Sequence, residues 1–182
     1  MTLFVLESID DGAERRLFAA FGAEFVRIRF AWLNVPLLAA VGVAVAFFVT
    51  PVDGSGATVA AGLAYGASII IASPVHSLGH VFANRLVKAP VTYVRLSATV
   101  ATMRYTDIPL SSGRVHLLRA LGGPVANLAL GGTALLLSAA LLESHLLRFF
   151  GAVSLLFGAM MLSPIPSLDG AVIFRQLFGR SP

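Results

Sequence analysis

The chain has no cysteine, and only 12% of its 182 residues are charged. The first absence excludes disulfides and thiolate metal sites, so any metal must be held by His, Asp or Glu. The second sets the chain apart from soluble domains, in which about 25% of residues carry charge. Over residues 54–84 there is no Asp, Glu, Lys or Arg at all. That run exceeds the roughly 20 apolar residues that carry a helix across a bilayer. With 57% hydrophobic residues and a mean hydropathy of +0.87, the composition is that of a membrane protein of one domain.

The net charge of +4 does not point to nucleic acid, because the basic residues are scattered beside apolar runs and form no basic tract. Membrane orientation accounts for them better. If both termini are cytoplasmic, 12 of the 13 Lys and Arg residues lie inside and only Arg148 lies outside, as the positive-inside rule requires. The expected partner is therefore the lipid bilayer, and the expected location a bacterial plasma membrane. The first ten residues are not a signal peptide, since acids flank Leu3-Phe4-Val5-Leu6 and no small-residue cleavage site follows. They read as a strand or an irregular arm.

Asp11-Gly12-Ala13-Glu14 resembles a capping box, and Leu17, Phe18, Phe21, Phe25 and Ile28 fall on one face at helical spacing. Residues 1–29 are thus expected to form an N-terminal arm and an amphipathic helix, interfacial or packed on the cytosolic side, ahead of a membrane domain at 30–182. Four spans are expected, at about 30–49, 58–86, 117–142 and 146–162. Pro51-Val52-Asp53-Gly54-Ser55-Gly56 separates the first two. Gly62 and Gly66 give the second a small-residue face for close helix packing, and Pro74 is expected to kink it. Residues 91–97 and 99–105 are rich in β-branched and aromatic types and read as a β-hairpin.

Within the second span stand His76 and His80. Ionisable groups at membrane depth are costly and face protein or water, which makes them site candidates. A lone histidine there would as readily hydrogen-bond a neighbouring helix. Two at i and i+4 share a helix face and can hold one metal. Asp169 is the third ligand candidate, following Pro164 and Pro166, which end the fourth helix early. The four-span topology brings all three to the cytoplasmic ends of their spans. His116 and His145 stand alone and read as solvated or structural.

These residues resemble the site-2 protease family of intramembrane zinc metalloproteases. His76-Ser77-Leu78-Gly79-His80 resembles its H-E-x-x-H, Gly123-Pro124-Val125-Ala126-Asn127 its G-P-x-x-N, and residues 163–170 its N-x-x-P-x-x-x-L-D-G. The resemblance covers residues 63–177. It implies an all-α membrane fold of four transmembrane helices, three of them forming the protease core, with a small β-hairpin at the membrane face. It also implies one Zn2+ ion held by His76, His80 and Asp169, and a cleft contact from Asn127 to the reacting carbonyl or its oxyanion. A substrate segment would add as a strand to the hairpin, through Val91, Tyr93, Arg95, Val100 and Met103.

Two positions depart from the pattern. Ser163 replaces an Asn, which alters a hydrogen bond beside Asp169. Ser77 replaces the glutamate that serves as general base, and a serine hydroxyl is not basic near neutral pH. Asp107 is the one acid on the same side available as a substitute. The expectation is therefore a zinc-holding protein with peptidase activity absent or weak, whose role is to bind or regulate transmembrane protein partners or to serve in a membrane complex. The competing expectations are an active intramembrane protease with another base, and a small transporter or channel.

Overall fold

The computed structural model describes residues 15–20, 23–27, 31–49, 54–88, 91, 93–96, 101–104 and 112–179. In chain order the elements are strands β1 (Arg15–Ala20) and β2 (Ala23–Arg27), helices α1 (Asn34–Val49) and α2 (Ser55–Leu86), strands β3 (Tyr93–Leu96) and β4 (Ala101–Arg104), and helices α3 (Gly113–Leu137), α4 (His145–Met161) and α5 (Asp169–Phe178). A 3₁₀ turn, Ala31–Leu33, leads into α1, and a π-helical turn, Ser138–Leu142, extends α3. Among the described residues, three helical segments are long and apolar enough to cross a bilayer: Ala31–Val49, Ser55–Leu86 and Gly113–Leu141. The 17-residue α4 is shorter and apolar.

Because lipid supplies no hydrophobic force between helices, close backbone approach does that work, and small residues permit it. The α1–α2 contact follows this rule. A Cβ placed on Gly42 would run into the backbone of Gly62 and Gly66, and one on Gly66 into Ala39 and the Leu38 carbonyl. Gly62 and Gly66 thus form the packing face that their spacing foretold. Pro74 lies inside α2 without ending it.

The turn from α3 into α4 is built on buried polar groups. Ser138 is fully buried; its hydroxyl donates to the Ser144 carbonyl at 3.1 Å and accepts from Arg148 Nε at 3.3 Å. Glu143 takes a left-handed conformation (φ 42°) to reverse the chain. Ser144 then caps α4, its Oγ accepting from the Leu147 N–H at 3.3 Å.

Where an amphipathic helix is expected ahead of the membrane domain, the described residues 15–20 and 23–27 form strands instead. Within the described part of that stretch, β1 and β2 pair antiparallel, with Ala20 opposite Ala23. The strand β2 pairs in parallel with β3, which pairs antiparallel with β4, giving one four-stranded sheet in the order β1-β2-β3-β4. The hairpin read from residues 91–105 is thus half of a larger sheet, and the fold is not purely helical. The reason is tertiary. As a strand, Ala23 and Phe25 point to one face, where they join Val91, Val94 and Val81 of α2 in a buried cluster. Phe18 stacks on Phe25 with ring centroids 4.6 Å apart. A helix over the same residues would forgo the parallel ladder to β3. The capping box and the arm at 1–10 lie outside the described residues.

Beyond the four expected spans, residues 169–178 form a further helix, α5. Its inner face is Gly170 and Ile173, and it packs on α3.

The α1–α2 contact is testable. Gly42→Ala should destabilise the protein by about 1–3 kcal/mol through overpacking. Gly132→Ala, at a position with nothing within 4 Å, should stay within about 0.5 kcal/mol. Reversible unfolding in detergent micelles compares the two.

Candidate metal centre

His76 and His80 project from successive turns of α2, and Asp169 opens α5. The two imidazoles present Nε2 atoms 3.0 Å apart. Asp169 Oδ2 lies 3.0 Å from His76 Nε2 and 3.3 Å from His80 Nε2. The three side chains are 12%, 9% and 20% exposed, so they meet in a nearly dry site. Among the described residues, no other group of histidines and carboxylates converges in this way.

The geometry that brings Asp169 here is local. Pro164 and Pro166 follow the end of α4, and Ser167 adopts a left-handed conformation (φ 79°) that redirects the chain. Gly170 then tucks against the carbonyls of Leu162 and Ser163, where a Cβ would overlap both. The D-G pair therefore has a steric basis. Glycine lets α5 start hard against the end of α4, and the aspartate beside it is thereby aimed at α2.

On the other side, α3 closes over the imidazoles. Gly79 and Gly122 bring the two backbones together, since a Cβ on either would strike the other's carbonyl oxygen. His80 Nδ1 lies 2.7 Å from the Arg119 carbonyl oxygen. A histidine that donates Nδ1–H to a backbone carbonyl keeps Nε2 free as a ligand. His76 Nδ1 is buried without a hydrogen bond, and the His76 ring meets Phe157 of α4 edge-on, centroids 5.3 Å apart.

The donor set fits a cation. A carboxylate accepts only, and an imidazole protonated at Nδ1 accepts at Nε2. Asp169 Oδ2 is buried with no hydrogen bond. Lone pairs facing one another this closely are favourable only with a proton or a cation between them. Zinc held by nitrogen and oxygen at about 2.0–2.2 Å in tetrahedral array spaces its donors by about 3.3–3.6 Å. The observed spacings of 3.0, 3.0 and 3.3 Å are close to that.

The remaining candidate residues fall in different places. Ser77 is 2% exposed and lies one turn before Val81, which joins the buried cluster with the sheet. Asn127 is fully buried, with neither side-chain amide atom hydrogen-bonded. It packs where α3 meets α4, its Cβ 3.2 Å from the position a Cβ on Gly158 would take. Val91 belongs to the core between sheet and α2, while Tyr93 and Arg95 are half-buried on β3. Met103 lies on β4 opposite Val94. Val100 and Asp107 lie outside the described residues. His116 is half-buried on α3 and His145 is exposed at the start of α4, and neither joins the site. The Arg119 carbonyl, Gly123 and Gly170 were not singled out as site-building groups from sequence, since a backbone group carries no side-chain signal.

Fold and site together define a helical membrane protein with a His-His-Asp centre buried among its helices. In structure the chain is similar to the site-2 protease from Methanocaldococcus jannaschii, with a TM-score of 0.63 and 17% identity over 91% of this chain and 71% of that one. No family model matches the sequence. No curated protein matches it either. The likeness is one of fold, and the chain has a site-2 protease-like architecture.

If these residues hold a metal, purified protein should carry about one zinc per chain by elemental analysis. His80→Ala and Asp169→Ala should each weaken binding by more than the about 10–100-fold typical of losing an outer-shell partner.

Proposed function

We propose that this is a site-2 protease-like membrane protein that holds one zinc ion through His76, His80 and Asp169 but lacks the general base for peptide hydrolysis, so that it binds or regulates transmembrane protein segments and cleaves them weakly or not at all. The observation that carries this reading is the convergence of the three ligand atoms beside Ser77. Zinc bound there would supply Lewis-acid polarisation of a carbonyl and a lowered pKa for a coordinated water. Proton transfer to a leaving amine needs a separate group of suitable pKa within reach. The position after His76 holds a hydroxyl that is not basic near neutral pH. Asp169 is committed as a ligand. The other described acids are Glu24, paired with Arg16 at 3.0 Å on the β1–β2 hairpin, and Glu143, at the opposite end of α3 from the site.

The sheet supports a binding role. Among the described residues β4 is paired on one side only, to β3, so it offers an edge to an extended segment. Tyr93 and Arg95 of β3 and Met103 of β4 would lie near such a segment, with Val91 holding the sheet on α2 and Asn127 near the reacting carbonyl. Both termini are assigned to the cytoplasmic side, on the distribution of Lys and Arg.

The test compares wild type, Ser77→Glu and His76→Ala on a transmembrane peptide in detergent, with zinc content measured alongside. Wild type should carry zinc and cleave at or near background, and Ser77→Glu should raise the rate by about 10²- to 10⁴-fold. Robust wild-type cleavage that His76→Ala abolishes would instead establish an active protease. Absence of zinc from both wild type and Ser77→Glu would remove the metal from the reading.

A further inference from the structure

We infer that the backbone of α3 sets the ligand tautomer of His80, and that Gly123 is the positioning residue that makes this possible. The inference rests on the metal-centre reading above and concerns how the chain prepares the site before any ion arrives.

In an α-helix the N–H of residue i donates to the carbonyl of residue i−4. For Gly123 that carbonyl belongs to Arg119. His80 Nδ1 lies between the two ends of this one bond, 2.7 Å from Arg119 O and 3.3 Å from Gly123 N, whose N–H is directed at it. A neutral imidazole nitrogen is a donor or an acceptor, never both. The shorter contact decides between them. Nδ1 carries the proton and donates to Arg119 O, whose two lone pairs accept from both the imidazole and the helix. The longer contact, from Gly123 N–H toward Nδ1, is the one this tautomer gives up, the N–H keeping its helix bond to Arg119 O. Nε2 is left unprotonated and faces His76 Nε2 and Asp169 Oδ2.

This clasp requires that nothing project from position 123. A Cβ there would overlap His80 Nε2 and would crowd Cε1 and Nε2 of His76. The space an alanine methyl would fill is the space where the ligand atoms sit. The neighbouring Gly122 serves another purpose, since its missing Cβ admits Ala83 and the Gly79 carbonyl and no imidazole. Of the two adjacent glycines, one sets the distance between helices and the other shapes the centre.

The two histidines are consequently unequal. His80 is fixed by a backbone carbonyl and sits over Asn84, whose Nδ2 donates to the His80 backbone carbonyl at 2.7 Å. His76 has no such anchor at Nδ1 and is held by ring contacts to His80 and Phe157. In the metal-free protein, His80 is therefore a preset ligand and His76 an adjustable one.

Histidine-selective ¹⁵N NMR of the full metal-free chain in bilayers, at alkaline pH and with His80→Gln for assignment, reads the tautomers directly. The expected result is a single Nδ1–H form for His80. An Nε2–H form, or an even mixture, would overturn the clasp. Zinc titration of Gly123→Ala should show affinity weakened about 10- to 100-fold, with Gly132→Ala matching wild type. Unchanged affinity in Gly123→Ala would refute its positioning role. Should Gly123→Ala fail to fold, the wild-type tautomer alone decides. An Nδ1–H His80 in a chain that binds no zinc would sink the metal reading and leave the clasp standing, whereas zinc binding with the other tautomer would do the reverse.

Discussion

The crossing of α2 and α3 is the contact on which the centre depends. At Gly79 and Gly122 the two backbones touch with no side chain between them, and the adjacent His80, with His76 one turn earlier, lies against Gly123 of α3. Dispersion between closely packed atoms is individually small and collectively large, and within a bilayer it is a main force between helices. The same closeness that holds the helices together lets a carbonyl of α3 reach an imidazole of α2. Stability and site geometry therefore share one set of glycines. Any change that widens the crossing would loosen the His-His-Asp cluster together with the fold.

Around that crossing the other elements complete the site from two directions. From one side α4 ends in a Pro-rich turn, and α5 begins against its last carbonyls, which swings a carboxylate onto the two imidazoles. From the other, the sheet packs on α2 through Val81, Val91 and Val94. Ser77 stands next to His76 in sequence, one turn before Val81. In the proposed reading a hydroxyl there in place of a carboxylate would leave the binding groups and remove the proton acceptor, which is why the proposed role separates capture from cleavage.

Much of the site was legible in the sequence because its signals are local. His76 and His80 announce a shared face by their spacing alone, and prolines before Asp169 announce a helix stop. The ends of helices α1, α2 and α4 lie within a few residues of the apolar runs in the sequence, because uninterrupted apolar runs leave few alternatives. For α3 the helix starts earlier, at Gly113, behind a Ser112 cap whose side chain accepts from the Val115 N–H. The polar composition of that first turn hid it. The N-terminal stretch failed for the opposite reason. Leu17, Phe18, Phe21 and Phe25 satisfy a helical period well enough, and nothing nearby reveals that β3, some seventy residues on, offers a parallel partner.

The sequence by itself determined the kind of environment this chain occupies and the identity of three ligand candidates, because composition and short-range spacing act without reference to distant residues. Tertiary structure decided everything that depends on two segments meeting. It made strands of Arg15–Ala20 and Ala23–Arg27, turned residues 169–178 into a helix with Asp169 at its head, and set three donor atoms 3.0 to 3.3 Å apart. It also brought a backbone carbonyl to His80, a contact without a side-chain signature, since every residue carries the same carbonyl and only the approach of another helix gives one of them a task.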